Sequence, residues 1–183
     1  GETYEYSNLA VGLLGVILER IYNRPYEQLV NTEIAKPLGL HNTKITLNEA
    51  DKKQMAQGYN EKEEAVPAWN FKSLAAAGAI RSTSEDLLQY GKQQLDTLKS
   101  SLLKYFLLTQ HPTFNDRVEE VGLGWHFVLD DPDTVIQHGG GTYGCRTMLV
   151  INKTKNIVVA VLTNTASNGD ALGLKLMAAI ERL

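Results

Sequence analysis

Cysteine is almost missing: Cys145 stands alone among 183 residues, so no internal disulfide can staple the chain. Long apolar runs are missing too. The longest, Leu9 to Leu18, ends at Glu19-Arg20 and is too short to cross a bilayer as a helix. Charge of one sign is scarce. Lys and Arg total 18 against 21 Asp and Glu, a net charge of −3. No basic stretch is dense enough to track a phosphate backbone, which argues against a nucleic-acid partner. His41, His111 and His126 have no metal-ligand spacing among themselves or with acids, so neither a metal nor a cofactor is implied. No targeting segment is visible, which decides nothing in a chain that starts at Gly1 and not at Met. Asn152-Lys153-Thr154 spells a glycosylation sequon and is read as chance.

What is present is enough for one core and shows no repeat or low-complexity linker. Residues 9–23 read as a helix, apolar nearly all round, which predicts burial. Pro25 opens a second helix that turns Tyr26, Leu29, Val30 and Ile34 inward and stops at Pro37. From His41 to about Ala79 the pattern is weak and predicts long loops with short elements. Ser82-Thr83-Ser84-Glu85-Asp86 then announces a helix: a hydroxyl cap followed by acids suits the orphan amides and the positive dipole end. It should run toward Leu95, with a further helix over roughly Leu98 to Gln110.

Beyond Pro112 the period changes. Gly124–Leu129, Thr134–Gln137, Cys145–Ile151 and Ile157–Thr163 read as strands, the last two joined by a turn at Asn152–Asn156. Ile157 to Leu162 is continuously apolar, as in a central strand covered on both faces. A closing helix over Asp170–Leu183 should pack its Leu172, Leu176, Met177 and Ile180 side. The expected class is α+β: an antiparallel sheet covered by helices, with a helical part over about 1–115 and the sheet and closing helix over about 116–183.

Two segments could carry chemistry. In Tyr6-Ser7-Asn8, residues two apart in an extended stretch would present a phenol and an amide to one site. On the tripeptide alone, a helix cap with a hydrophobic staple is the better reading. In His138-Gly139-Gly140-Gly141-Thr142-Tyr143-Gly144, four glycines in seven residues let a ligand approach exposed amides, as an oxyanion hole requires. A flexible hairpin turn with an incidental histidine explains that segment equally well. Cys145, after the glycines, is read as a small core residue.

Together and in this order, the two segments resemble motifs of the serine β-lactamase/penicillin-binding-protein superfamily, in its class C β-lactamase, D-alanyl-D-alanine carboxypeptidase and esterase branch. Tyr6-Ser7-Asn8 matches the family's Tyr-x-Asn, and His138-Gly139-Gly140 its Lys/His-Thr/Gly-Gly strand. Lys36-Pro37-Leu38-Gly39-Leu40, Ala77 to Leu87 and Gly122-Leu123-Gly124-Trp125 look like three further family stretches, the last a strand. The resemblance implies a β-lactamase/transpeptidase-like fold, incomplete at the N-terminus, and a serine hydrolase of periplasmic or secreted habit working through an acyl-enzyme on an ester, amide, D-alanyl peptide or β-lactam. It implies that Tyr6 handles the serine's proton and that Asn8 bonds the substrate's acyl group. His138 stands where true β-lactamases carry lysine. Gly141 N–H would be one oxyanion donor, with Gly139, Gly140 and Thr142 lining the substrate.

The family's Ser-x-x-Lys nucleophile motif should precede the tyrosine, and only five residues do so here. The literal match Ser101-Leu102-Leu103-Lys104 falls between the other motifs, in the wrong order, and is read as chance. His138 to Gly141 also spells the oxyanion motif of α/β-hydrolase esterases, but no G-x-S-x-G elbow occurs in the chain. The isolated chain is therefore expected to be inactive, with an exposed sheet edge that pairs with a second copy or a missing N-terminal segment. The alternative is a non-catalytic peptide- or cell-wall-binding module on the same fold.

Overall fold

The computed structural model describes residues 2–95, 100–129, 131–167 and 170–182. Helices come first, then a six-stranded antiparallel sheet whose strands lie side by side in chain order, β3 (Phe114–Asn115), β4 (Glu120–Val121), β5 (His126–Phe127), β6 (Val135–Thr142), β7 (Cys145–Asn152) and β8 (Ile157–Thr163), then a closing helix.

Helix α1 (Asn8–Tyr22) is capped by Ser7, whose hydroxyl accepts the Ala10 N–H at 3.1 Å, and ends at Asn23 in the left-handed region. It packs by its glycines. A methyl group on Gly15 would stand 2.5 Å from Ala76 Cβ, and one on Gly12 would run into the Leu74 side chain. Both neighbours belong to the 3₁₀ segment Lys72–Ala77. The expected burial of the remaining helix does not occur. Leu9, Leu13, Leu14, Ile17 and Ile21 are exposed, because the described residues cover only the glycine stripe.

The second helix is broken in register. Tyr26–Leu29 (α2) widens into a π turn over Val30–Ala35 and tightens again at Lys36–Leu38 (α3). Pro37 lies inside that last turn and has no N–H for an ordinary i→i−4 ladder, so the wide turn absorbs the mismatch. The stop is Gly39, at φ 70°, where Gly39 and Leu40 donate to the Lys36 and Ala35 carbonyls. Leu29 and Val30 are buried as expected, whereas Ile34 is exposed and Ala35 takes its place inside.

The weak middle region holds α4 (Glu49–Gln54), a two-stranded hairpin, β1 (Gly58–Tyr59) with β2 (Ala65–Val66), and the 3₁₀ segment Lys72–Ala77. Helix α5 (Ser84–Gln93) starts at Thr83, whose hydroxyl accepts the Asp86 N–H. The buried Asp86 carboxylate in turn accepts the Asn42 N–H at 2.7 Å and the Thr43 hydroxyl at 2.8 Å, tying the preceding loop to this helix. Helix α6 is Leu103–Thr109; the earlier start expected at Leu98 lies outside the described residues.

The sheet is built on one hairpin, β6 (Val135–Thr142) and β7 (Cys145–Asn152), paired from Val135↔Asn152 to Thr142↔Cys145. Side chains alternate across it. Ile136, Leu149 and Ile151 join Trp125 and Leu95 under α5, while Val135, Met148 and Val150 join Val159, Val161 and Met177 under the closing helix α7 (Asp170–Ile180). The face that α7 buries is Gly173, Leu174 and Met177; the expected Leu172, Leu176 and Ile180 are exposed. Gly173 decides this, since a Cβ there would meet Met148 Cγ at 2.6 Å, and only that side of the helix can approach so closely. β8 (Ile157–Thr163) is covered on both faces as expected but is the sheet's edge, not its centre, among the described residues. Gly122 to Trp125 forms the turn between β4 (Glu120–Val121) and β5 (His126–Phe127), not a strand. Asn152, in the chance sequon, is fully buried and donates to Asp133 and Glu181.

Gly15→Ala tests the glycine contact. Better helix propensity contributes about 1 kcal/mol, against about 1–3 kcal/mol for forcing Cβ onto the fixed Ala76 methyl. Urea unfolding should show a net loss of about 1 kcal/mol; a gain would mean that α1 does not rest on this segment.

Candidate active site

The glycine run is strand, not turn. β6 continues through His138, Gly139, Gly140 and Gly141 to Thr142, and Tyr143-Gly144 makes the hairpin turn. Backbone direction follows from one bond. Val128 N–H donates to the Val135 carbonyl at 2.9 Å, so the N–H and C=O of Val135 face β5. Two-residue periodicity turns those of Gln137, Gly139 and Gly141 the same way. β5 pairs only with Ile136 and Gln137, so Gly139 and Gly141 carry their backbone groups past the last pair onto the sheet edge. Gly141 also makes room for Arg146, whose guanidinium packs where a side chain at 141 would stand and whose Nε donates to the Ala166 carbonyl at 3.1 Å.

Tyr6, Asn8, His138, Gly139, Gly140, Gly141 and Thr142 line one cleft. The capping and site readings of the first segment are compatible: Ser7 caps α1, while Tyr6 and Asn8 on either side of it reach the cleft. The Tyr6 and His138 rings lie 6.4 Å apart at 41°. Ser101 does not line this cleft; it precedes α6, which packs through Phe106 against Ala35, Leu38 and Leu40. Cys145 is half-buried and free, also on the cleft wall.

His138 is held by Gly124, which the sequence offered within the Gly122-Leu123-Gly124-Trp125 stretch but not as a site residue. Its Nδ1 lies 2.6 Å from the Gly124 carbonyl, which can only accept, so Nδ1 carries the hydrogen. In the neutral ring the lone pair is then on Nε2. Gly124 sits at φ 87°, open to glycine at little cost, and this conformation aims its carbonyl at the histidine. The signal was the Gly-x-Gly of Gly122 and Gly124, which marks a turn more than a strand. His126 and Glu119 were missed as well: the Glu119 carboxylate meets His126 Nδ1 at 2.9 Å, and the His126 and His138 rings are 5.7 Å apart. No spacing in the sequence reveals that contact, because it depends on sheet register.

Burial holds the His138 pKa below the usual histidine value; the Gly124 bond acts upward, and His126 again downward. Tyr4, beside His126, is pushed up, first by burial and then by Glu119 and Tyr6. Among the described residues no group of His, Cys, Asp and Glu could hold a metal ion.

The sign follows for stability. A histidine whose folded pKa is depressed contributes stability fully above its unfolded pKa, near 6.5, and loses it as pH falls toward the lower folded value. His138 should titrate below that value by imidazole NMR, and His138→Gln should flatten the acid-side fall in chemical-denaturation stability. A His138 midpoint above the free-histidine value would contradict the burial argument.

A family model described as Beta-lactamase matches residues 1–181. A beta-lactamase of Escherichia coli (strain K12) is 31% identical over 137 residues, covering 72% of this chain and 36% of its own. The D-alanyl-D-alanine-carboxypeptidase/endopeptidase AmpH of the same organism is 26% identical over 172 residues, covering 86% and 44%. In fold, the chain superposes on a class C beta lactamase from Rhodobacter sphaeroides with TM-score 0.87 at 20% identity, over 97% of this chain and 60% of that one. The chain thus spans less than half the length of these curated relatives. With a family model across nearly its whole length and that family's fold, the chain belongs to the beta-lactamase family.

Proposed function

We propose that this chain carries the proton-handling and oxyanion half of a serine acyl-transfer site, acting on an ester, amide, D-alanyl peptide or β-lactam. The observation that supports it is the meeting in one cleft of Tyr6 and Asn8, from the start of α1, with the Gly139–Gly141 edge of β6, more than a hundred residues later.

In that reading the attacking serine hydroxyl gives its proton to the Tyr6 and His138 pair as its oxygen bonds the acyl carbon. The carbonyl oxygen takes on negative charge, and Gly141 N–H on the open edge donates to it. Asn8 holds the acyl group through its amide. Collapse breaks the bond to the leaving group, which takes the proton back, and water then frees the acyl group by the same route. The serine is not supplied by these residues, since the one Ser-x-x-Lys, Ser101 to Lys104, lies away from the cleft. A second polypeptide segment would have to bring it.

Two exposed features suit such a segment. Among the described residues β8 is an edge of seven residues with no charge and no proline, and edges of that kind are seldom left bare. The apolar side of α1 is uncovered among the described residues. We propose that an upstream segment or a second copy pairs there.

The chain by itself should not hydrolyse a chromogenic ester or cephalosporin above buffer. An N-acyl-D-alanyl-D-alanine peptide should nevertheless shift the amide resonances of Gly139 and Gly141 and the Asn8 side-chain amide. Shifts confined to other surfaces, or steady turnover abolished by Tyr6→Phe, would sink the half-site reading. Sedimentation over a range of concentrations should show self-association; a clean monomer throughout would count against the edge proposal.

A further inference from the structure

The cleft wall carries more positive than negative charge, in a chain whose net charge is −3. Lys44, Lys52, Arg81 and Arg146 line it, and Asp51 is the only acid among the described residues that does so. Most of these cations are already engaged. Lys44 pairs with Asp51 at 2.8 Å, and Lys52 with Glu49 at 2.7 Å. Arg81 donates to the Ile45, Ala79 and Trp69 carbonyls at 2.9, 3.1 and 3.2 Å. Arg146 differs. Its Nε donates to the Ala166 carbonyl at 3.1 Å, but among the described residues neither Nη makes a hydrogen bond or an ion pair.

Register explains where those free donors stand. Gly141 lies opposite Arg146 across β6 and β7, and its own N–H and C=O turn toward β5, away from that partner. Opposite residues that exchange no backbone bond hold their side chains closest. With no side chain at 141, the arginine folds over β6, its Cζ 3.1 Å from where a Cβ would be. Opposite residues also share a face. Arg146 therefore lies on the side of Gly141 and Met148, and His138 with Leu149 on the other. The open edge of Gly139 and Gly141 has an imidazole on one flank and a guanidinium on the other.

We propose that Arg146 is a specificity-determining residue whose free Nη groups take a carboxylate carried by the substrate on the carbon next to its leaving nitrogen. D-Alanyl peptides and β-lactams both have a carboxylate there, and a simple ester or amide does not. The inference rests on the half-site reading for the acyl group and narrows the substrate class to anions. With the acyl oxygen on Gly141 N–H, the leaving group runs along the same edge, beside the guanidinium that covers Gly141. A guanidinium stays charged at any working pH, and its planar fork meets a carboxylate in parallel hydrogen bonds. The Ala166 bond already holds the side chain, so less conformational freedom is lost when the anion arrives.

The test compares matched acid and neutral probes on the chain by ¹H–¹⁵N NMR titration: N-acetyl-D-alanyl-D-alanine against its C-terminal carboxamide, and a penicillin against its methyl ester. The acid of at least one pair should bind about tenfold more tightly than its neutral partner. It should move the Arg146 Nε–H resonance together with the Gly141 amide, and the advantage should shrink in high salt. Arg146→Gln should abolish the advantage, and Arg146→Lys, which keeps the charge without the fork, should restore part of it. An advantage in the peptide pair assigns a peptide substrate, and one in the penicillin pair assigns a β-lactam. Equal affinity of acid and neutral partner in both pairs, or an advantage that survives Arg146→Gln, would overturn the proposal. Should Arg146→Gln unfold, the parent chain decides: an Arg146 Nε–H resonance that ignores the acid, or moves equally with the neutral probe, is against it. An Arg146-dependent advantage that leaves the Asn8 and Gly139 amides unmoved supports the anion site and overturns only the half-site reading. Shifts at Asn8, Gly139 and Gly141 that are the same for acid and neutral probes overturn the anion site alone. No binding by either acid overturns both.

Discussion

The β6–β7 hairpin is the frame to which every other part is referred. Its ladder runs unbroken over eight pairs, and Ile136, Val150 and Ile151, toward the end away from the turn, are fully excluded from water. Alternation then delivers one set of side chains to α5 and the other to α7, so two small cores share a single sheet. A slip of one residue would exchange the two sets and bring His138 to the wrong face. The same register sets the chemistry of the edge, because the Val128–Val135 bond that fixes β5 also fixes which glycines turn their amides outward.

Glycine plays two separate parts around this frame. Gly15, Gly91 and Gly173 are contact points, where α1, α5 and α7 come close enough that a methyl group would strike a neighbour at 2.5 Å or little more. Gly39 and Gly124 are conformational, at φ 70° and 87° with open space around them. The second kind has the chemical consequence: Gly124 points its carbonyl at His138 and so chooses the tautomer. The site is therefore assembled by backbone as much as by side chains. Two donors on a strand edge, one carbonyl in a turn and a capped helix start place Tyr6, Asn8 and His138 without long flexible arms.

Much of the secondary structure was legible from local chemistry. Thr83 with Asp86, Pro25, Gly39 and the Val- and Ile-rich strands each satisfy a backbone need within a few residues, so their spacing can be read directly. The errors fall where the choice is made at a distance. Leu172, Leu176, Met177 and Ile180 form a plausible inward stripe on α7, yet of these only Met177 is buried, and the helix lies on Gly173 because Met148 admits only that side. Ile157 to Thr163 has the composition of a central strand and is one in chemistry, but pairing puts it on the edge. The apolar α1 predicted a surrounding core that the described residues do not supply. For the site, Tyr6-Ser7-Asn8 and the His138 glycine run were visible as motifs. Gly124 was quoted only within the Gly122–Trp125 stretch, and neither its bond to His138 nor the Glu119–His126 contact could be read, because both depend on the β4–β5–β6 register.

The sequence by itself determined the class of the fold, its family, the helix starts and stops, and the residue types offered to the cleft. These depend on hydrogen-bond needs, periodicity and short motifs that act over a few residues. Only the tertiary structure decided which helix faces are buried, that the glycine run is strand and not turn, which amides reach the open edge, and that a second histidine with its own carboxylate stands behind His138. Each of these is settled by register and close approach between segments tens of residues apart, and no local pattern carries that information.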